Sequence, residues 1–365
     1  MQLINATRMA AGYTLGPQPD GREHLVAVVK GTFTMPRSGL AASLADEQAE
    51  LVEADVFTGE PGLSAPLYET DYAFRKPRCD VLLNGSAYAP HGTPAERVRV
   101  GIRVGPISKV FDVVGHRVWQ EVLATVSSTK PEPFARMPIS YDNAFGGVDR
   151  SFPEDERTYL GNPAGKGFWH NLDTHVYQGK PLPNTEEPHD PVKAPNGSYR
   201  PMAFGPIGRA WPPRPRFAGT YDQHWIDEVF PFLPPDFDER YYQSAPVDQQ
   251  TDHLRGGEPV TLYNLTPEGR VDFTLPVVRV PVMFLLKSGE EVTVEAVNDT
   301  LILEPDANRL IRVWRASHPL KRNLFEISMI VVGTMSAGWH RARRLGKAYY
   351  GSLRHLIDDQ RASGA

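Results

Sequence analysis

The chain has 365 residues, of which 41% are hydrophobic and 23% charged, so it holds enough apolar material for one large domain or for two or three smaller ones. Its 39 basic and 44 acidic residues give a net charge of −5, which excludes an overall positive field for nucleic-acid binding. The single cysteine, Cys79, excludes an internal disulfide bond, and its apolar neighbours predict a small core residue.

No apolar run approaches the roughly 20 residues that are needed to cross a bilayer. The first residues, MQLINATRMAAGYTLG, lack the basic region and the apolar stretch of a secretory signal. We therefore expect a cytoplasmic protein without a membrane span.

The first third of the chain predicts strands. Residues 24–35 are rich in β-branched side chains, and residues 79–86 are typical of a short buried strand. At residues 97–104 valine and isoleucine alternate with arginine, which predicts one buried and one solvated face. Residues 109–114 return after a turn and complete an antiparallel meander. The one helix expected in this part covers residues 41–52.

The middle of the chain, residues 131–254, holds 19 of the 36 aromatic residues and 19 of the 34 prolines. Proline removes a backbone donor and fixes φ, so this stretch predicts neither long helices nor central strands. It is also too aromatic for the usual composition of a disordered segment. We expect an ordered, irregular segment that buried rings hold in place, and such segments tend to be functional surfaces.

Strand patterns resume after the middle segment. Residues 281–286 and 292–296, joined by a Ser288-Gly289 turn, predict a hairpin. Further strands are expected at residues 271–275, 301–303, 310–314 and 325–332. Residues 336–360 space apolar side chains by three and four, which predicts an amphipathic helix with Ser336 as its N-cap. This helix either covers a sheet with its charges solvated or docks a partner through its arginines.

The fold predicted from these patterns is mainly β, with antiparallel sheets in sandwich-like lobes, a long irregular aromatic and proline-rich segment and one C-terminal α-helix. The predicted division has an N-terminal β lobe at residues 1–130 and a C-terminal β lobe at residues 256–335. The irregular segment at residues 131–255 packs on both lobes, and the helix and tail occupy residues 336–365.

Sequence motifs of common enzymes are missing, since the chain has no G-x-S-x-G, H-E-x-x-H or C-x-x-C. GNPAGKG at residues 161–167 has the wrong spacing for a phosphate loop, so we expect a glycine-rich turn there. The weak metal candidates are Asp222, His224 and Asp227, and we favour a solvated helix start over metal binding for these residues. We predict no catalytic residues and no cofactor.

Candidate residues for contacting a partner lie in the middle segment, because tyrosine and tryptophan concentrate the binding energy of protein interfaces. They are Tyr141, Phe145, Gly146, Gly147, Trp169, Trp225, Phe237, Tyr241, Asp248, Gln249 and Gln250. For Asp248, Gln249 and Gln250 we favour hydrogen bonds to loop backbone groups over direct contact with a ligand.

Several motifs occur in a characteristic order: KPRCDVLLNGSAYAP, RVGIRVGPISKVFDVVGHRVW, MPISYDNAFGG, YLGNPAGKGF, FPFLPPDFDERYYQSAPVDQQ and LRGGEPVTLYNLTPEG. Together they resemble a bacterial family of unknown-function domains that are encoded beside type VI secretion effectors and spike proteins. The resemblance covers about residues 20 to 330. It implies an accessory adaptor or chaperone that loads an effector onto the spike, and it carries over no catalytic residues.

The function expected from the sequence is therefore binding rather than catalysis, with a cognate effector protein and the spike protein as partners. The sequence predicts neither the oligomeric state nor the identity of the effector. One alternative is a metal-assisted hydrolase that uses Asp222, His224 and Asp227. Another is a structural or carbohydrate-binding component of the secreted particle.

Overall fold

The computed structural model describes residues 1–18, 21–36, 39–350, 357 and 361. Strands dominate it, which confirms the mainly β prediction. In chain order the strands are β1 Gln2–Asn5, β2 Ala10–Pro17, β3 Glu23–Thr34, β4 Ser43–Leu44, β5 Val56–Phe57, β6 Pro66–Tyr68, β7 Cys79–Leu83, β8 Gly85–Tyr88, β9 Arg97–Val104, β10 Ile107–Val114, β11 Trp119–Val122, β12 Thr125–Ser128, β13 Arg136–Ile139, β14 Phe145–Gly146, β15 Val148–Asp149, β16 Arg157–Thr158, β17 Lys166–Gly167, β18 Thr185–Glu186, β19 Gln250–Thr251, β20 Pro259–Tyr263, β21 Arg270–Thr274, β22 Pro281–Leu286, β23 Glu291–Glu295, β24 Val297–Glu304, β25 Arg309–Pro319 and β26 Ile327–Val332.

The helical elements are short. The α-helices are α1 Thr174–Tyr177 and α2 Ala337–Arg344, and a π-helical turn covers Trp225–Val229. Single 3₁₀ turns occur at Pro90–Gly92, Tyr141–Asn143, Pro153–Asp155, Arg214–Phe217, Glu239–Tyr242, Val247–Gln249, Pro305–Ala307 and Leu324–Glu326. Within the described part of the chain, no helix has the length and apolar character that crossing a bilayer requires.

The largest sheet has seven strands in the order β19-β7-β24-β25-β3-β2, with β4 paired to β3. Strand β3 is buried on both faces, because Leu25 and Val29 join the main core while Val26 and Val28 join a second apolar cluster. This double burial explains why the predicted strand is a continuous apolar run rather than an alternating one. Cys79 on β7 is a fully buried core residue, as predicted.

A five-stranded sheet has the order β18-β10-β9-β20-β21 and contains the predicted meander. Along β9 the valine and isoleucine side chains are buried, while Arg97, Arg99 and Arg103 are exposed, so the predicted alternation is confirmed. A four-stranded sheet, β1-β26-β22-β23, contains the predicted hairpin of β22 and β23.

Strands from both ends of the chain share these sheets. Strand β3 pairs with β25, β7 lies parallel to β24, and β9 pairs with β20. The regions predicted as an N-terminal and a C-terminal lobe are therefore joined by backbone hydrogen bonds. The division of the chain at residues 131, 256 and 336 stays a prediction.

The C-terminal helix begins where the sequence predicts and ends earlier. Ser336 Oγ accepts a hydrogen bond from Trp339 N at 3.2 Å, which confirms the N-cap. The helix ends at Arg344 rather than at residue 360, because Gly346 adopts a φ of 63° and Lys347 N bonds to Ala342 O. Residues 345–350 are not helical, and most of the remaining predicted helix lies outside the described residues.

The early helix predicted at residues 41–52 is wrong. This segment runs in extended form beside β3, and the Gln48 side chain both accepts from Thr32 N and donates to Thr32 O. Thr32 Oγ1 also accepts from Ala49 N at 3.0 Å. These contacts with a distant strand outweigh the weak local preference for a helix.

Candidate protein interface

Two of the predicted contact residues are aromatic side chains of the interior. Phe145 is fully buried, and the rings of Tyr159 and Tyr199 meet it edge-on at 5.0 and 4.9 Å between centroids. Tyr141 is also buried and packs edge-on against Trp211 at 5.7 Å. These rings hold the middle segment in shape, which is the arrangement that the sequence predicts, but they offer no surface to a partner.

Gly146 and Gly147 allow two loops to approach closely. Both have positive φ, and a Cβ on Gly146 would lie 2.1 Å from the carbonyl oxygen of Asn162. Asn162 is fully buried and donates its side-chain amide to Tyr141 O and Phe145 O. The GNPAGKG stretch is thus a turn that packs on the preceding glycine motif.

The three polar residues of SAPVDQQ bind within the protein. Gln249 Nε2 donates to Val81 O and Phe204 O at 2.7 and 2.8 Å, and Gln250 Nε2 donates to Ala245 O. These bonds confirm the predicted role in satisfying backbone groups and fix the end of the middle segment on β7.

The carboxylate of Asp248 forms salt bridges instead. One of its oxygens lies 2.6 Å from an Arg200 nitrogen and 3.5 Å from Lys109 Nζ. Elsewhere in the middle segment, Trp169 is half-buried, and Lys180 Nζ lies 5.6 Å from its ring centroid. Trp169 packs against the apolar cluster that contains Phe145.

A closed loop with exposed rings occupies residues 217–238, and we call it the aromatic loop. Its two ends meet where Asp238 N donates to Phe217 O at 3.0 Å. One turn further in, the carboxylate of Asp236 accepts from Thr220 N and Thr220 Oγ1 at 3.0 and 2.8 Å. The backbone N–H of Thr220 lowers the pKa of Asp236, so this closing carboxylate stays charged.

Trp225 is the centre of the aromatic loop. The rings of Tyr221 and Phe230 meet it edge-on at 4.8 and 5.5 Å. Its indole Nε1 donates to Phe232 O at 2.9 Å, and its backbone N–H donates to Asp222 Oδ1 at 2.9 Å. The loop therefore has its own internal bonding and does not depend on a partner for its shape.

A buried arginine fixes the base of the loop. Arg214 lies on the incoming leg and donates to Tyr241 O, on the outgoing leg, at 2.9 Å. It also donates to Ile207 O at 2.8 Å and forms a buried ion pair with Glu69. Beside it Phe237 packs against Tyr242 at 5.5 Å, so the predicted contact residues Phe237 and Tyr241 support the loop from below.

Four large apolar side chains of the loop face solvent. The exposed fractions are 53% for Tyr221, 56% for Ile226, 67% for Phe230 and 48% for Phe232. Where exposed apolar side chains form a large patch on a folded protein, the patch often marks an interaction site. The sequence predicts Trp225 as a contact residue but not these four. The run FPFLPP, in which prolines separate exposed rings, is the signal that identifies two of them.

The same loop is acidic. Residues 217–238 hold five carboxylates and no lysine or arginine, and Glu239 follows directly. Asp238 pairs with Arg240 and Glu239 with Arg75, both at the base. Asp222, Asp227 and Glu228 are exposed, and within the residues that the structure describes none of them forms a salt bridge with a lysine or arginine.

The weak metal candidates do not converge. Asp222 caps the turn, Asp227 Oδ1 accepts from Gln223 Nε2 at 2.9 Å, and His224 Nδ1 lies 3.6 Å from Glu228 Oε1. Among residues 1–18, 21–36, 39–350, 357 and 361, no three histidine, cysteine, aspartate or glutamate side chains are placed to hold a metal ion.

A cleft of about 470 Å³ lies between β6, β8 and the turn that joins β24 to β25. Its charged groups bind one another: Arg309 pairs with Glu304, and Arg136 pairs with Asp306. Burial raises the pKa of Tyr68, whose hydroxyl also binds Glu304, to about 12. These pairings account for the polar lining of the cleft as a structural network.

A family model described as "Uncharacterized protein conserved in bacteria (DUF2169)" matches residues 20–315. The chain belongs to this family. The match to DUF2169 includes the whole aromatic loop and ends within β25, so β26 and α2 lie beyond it. It confirms the predicted likeness to a bacterial family of unknown function. No curated protein and no solved structure matches the chain.

Proposed function

We propose that this DUF2169 protein is an accessory adaptor that acts by binding. In this proposal it holds a type VI secretion effector and helps to load it onto the spike protein, and the aromatic loop contacts the effector. The observation that carries the proposal is the group of exposed side chains at Tyr221, Ile226, Phe230 and Phe232 on a loop that is already closed.

Preorganisation is what makes this loop suited to binding. The hydrogen bonds from Asp238 N to Phe217 O, from Thr220 to the Asp236 carboxylate and from Trp225 Nε1 to Phe232 O fix the loop before a partner arrives. A fixed loop loses less conformational entropy when it binds, so more of the free energy of apolar burial remains as affinity. Aromatic side chains with few rotatable bonds add to the same effect.

The order of the sequence motifs supports the cellular role. The motifs that resemble an effector-associated family run from residue 76 to residue 269, and the aromatic loop lies inside that range. A cargo adaptor must also release its client, and a mixed surface of rings and carboxylates favours a moderate affinity over a permanent one.

The test uses the effector that is encoded nearest to this chain's own gene. The purified effector is titrated against the wild-type chain and against a Phe230→Ser/Phe232→Ser double variant. Removing two exposed rings from the centre of an interface costs about 2 kcal/mol or more, which is about a 30-fold loss of affinity. Phe325→Ser is the control, because Phe325 is an exposed phenylalanine that lies outside the loop.

Two results would count against the proposal. One is an affinity for the effector that the double variant leaves unchanged while its thermal melt matches the wild type. The other comes from cells, where deleting the gene is expected to stop delivery of one effector while the secretion machine continues to fire. Unchanged delivery of that effector in the deletion strain contradicts the adaptor role.

A further inference from the structure

The charges of the aromatic loop indicate the chemistry of its partner, an inference that rests on the proposed function. The exposed rings of Tyr221 and Phe230 lie within a few residues of Asp222, Asp227 and Glu228, all of which are exposed. From these positions we infer that the partner presents a basic amphipathic segment, in which apolar side chains cover the rings and flanking lysines or arginines face the three carboxylates.

Two arginines are held at the base of the loop, away from these three carboxylates. Arg216 and Arg240 stack on the ring of Phe217 at 4.6 and 4.3 Å, which holds them at the base. Arg240 is further paired with Asp238. In the part of the chain that the structure describes, no lysine or arginine forms a salt bridge with Asp222, Asp227 or Glu228, so these three carboxylates are available to cations of a partner.

The effect of a charge on binding depends on whether it lies at the rim or at the centre of the interface. Charges at the rim of an interface add modestly to affinity, and they mainly set the association rate, the salt dependence and the choice of partner. A partner with carboxylates beside its apolar residues would place like charges together, which is strongly unfavourable. The apolar rings thus select for hydrophobic partners in general, and the carboxylates select the basic ones among them.

The same charges argue against a second copy of this chain as the occupant. A twofold contact through the loop would place Asp222, Asp227 and Glu228 of one protomer against the same residues of its partner. The repulsion between these two sets of carboxylates disfavours that dimer.

The experiment uses two synthetic amphipathic peptides that have identical leucine and tryptophan positions. One peptide carries lysines at the flanking positions and the other carries glutamates. Fluorescence anisotropy measures the binding of each to the full chain. We expect the lysine peptide to bind at least about tenfold more tightly, and we expect added salt to weaken its binding.

A charge-neutral variant, Asp222→Asn/Asp227→Asn/Glu228→Gln, keeps the shape of the loop because asparagine retains the oxygen that caps Trp225 N. It is expected to lose about tenfold in affinity for the lysine peptide and most of the salt dependence. Equal affinities for the two peptides would overturn the inference. So would an unchanged affinity in the neutral variant, or no binding of the lysine peptide at about 1 mM.

Comparison with the effector titration separates the two proposals. One outcome is that the Phe230→Ser/Phe232→Ser variant loses the effector while the charge-neutral variant binds it like the wild type. That outcome supports the aromatic loop as the effector interface and contradicts the inference that the partner segment is basic. If the double-serine variant binds the effector normally, the proposed function itself fails. Sedimentation experiments test for a dimer of the wild-type chain. A dimer that the Phe230→Ser/Phe232→Ser variant no longer forms would assign the loop to a second copy and overturn the inference.

Discussion

Arg214 connects the aromatic loop to Glu69, a residue that is distant from the loop in the sequence. Its guanidinium bonds to Ile207 O and Tyr241 O and pairs with Glu69, so one side chain fixes both legs of the aromatic loop to the body of the protein. Arginine suits this position because its planar group offers several donors in fixed directions. A buried arginine must also have such partners, since an unpaired buried charge is strongly destabilising.

Replacing Arg214 with methionine is expected to lower the free energy of unfolding by about 3 kcal/mol. The cause is that Glu69 keeps only Arg209, at 3.7 Å, and Tyr241 O loses its donors. Urea denaturation measures the change. Arg216→Met is the matched control, because Arg216 is exposed and is expected to cost less than about 1 kcal/mol. Equal costs for the two variants would show that Arg214 does not fix the loop.

The structural role of Lys109, like that of Arg214, is not apparent from the sequence. It lies on β10, is buried, and donates to Gln249 Oε1 at 2.6 Å, with Asp248 at 3.5 Å and Arg200 beyond it. Burial lowers the pKa of Lys109 to about 8. A lysine in the unfolded chain has a pKa of about 10.4. Between these values the unfolded chain binds one more proton than the folded protein does.

The stability of the wild type relative to a Lys109→Met variant is therefore expected to rise with pH between about 8 and 10. The slope is positive because the unfolded state holds the extra proton, and its upper limit is about 1.4 kcal/mol per pH unit. Denaturant melts of both proteins at a series of pH values measure the difference between their free energies of unfolding. Titrating groups that the two proteins share contribute equally to both values and cancel in this difference. A difference that stays flat across this range contradicts the depressed pKa.

At the scale of elements, the local sequence pattern predicts the strands of this protein well and the end of its C-terminal helix less well. Alternation identifies β9, and a turn between two apolar runs identifies β22 and β23. The sequence overextends α2 because the apolar spacing continues past Gly346, whose positive φ ends the helix. The segment at residues 41–52 escapes prediction because its shape depends on Thr32, a residue of another element.

Helix α2 covers one face of the four-stranded sheet. Trp339 packs with Met283 and Val331, and this contact favours the prediction of a covering helix over that of a docking helix. Its last-turn Arg343 pairs with Glu291 at 2.7 Å, so part of the basic face is directed to the protein itself. The helix is held mainly by one aromatic anchor.

Trp339→Ala is expected to remove this anchor and to cost about 3 kcal/mol, since a buried tryptophan loses its packing and leaves a cavity. Hydrogen exchange should speed up in α2 and in β22 beneath it. The control is Arg343→Ala, which breaks a partly exposed ion pair and is expected to cost less than about 1 kcal/mol. Similar effects of the two changes would mean that α2 is not held by Trp339.

The aromatic loop shows where prediction from sequence stops. Composition indicates an ordered segment rich in rings, and Trp225, Phe237 and Tyr241 are found in the loop and its base. The run FPFLPP indicates two of the exposed rings, but the orientation of the others depends on the closing bond between Asp236 and Thr220 and on Arg214. These are contacts between residues that are distant in sequence, and periodicity does not encode them.

At the scale of the whole molecule, the sheets combine the two ends of the chain. Thr34 pairs with Arg309, Val81 with Leu301 and Ile102 with Leu262. Neither set of strands completes any of the three largest sheets by itself, so in those sheets each depends on the other for backbone hydrogen bonds. We expect the two regions to unfold together.

Hydrogen exchange read by mass spectrometry tests this expectation. The amides of β3 and β25 should exchange at the same rate, with an opening free energy equal to that of global unfolding. The aromatic loop should exchange faster, since its backbone bonds are few and near the surface. Separate opening of residues 1–130 and residues 256–335 at different free energies would show that they behave as independent units.

The pairing of β3 with β25 also has a consequence for synthesis. A ribosome makes β3 early, yet the strand that fills its long inner edge emerges only when residues 309–319 leave the exit tunnel. Until then the apolar stretch from Leu25 to Phe33 has no lasting partner on that side and is open to pairing with other nascent chains. Holding factors that bind growing polypeptides would protect it during this interval, and slowing translation would lengthen the exposure.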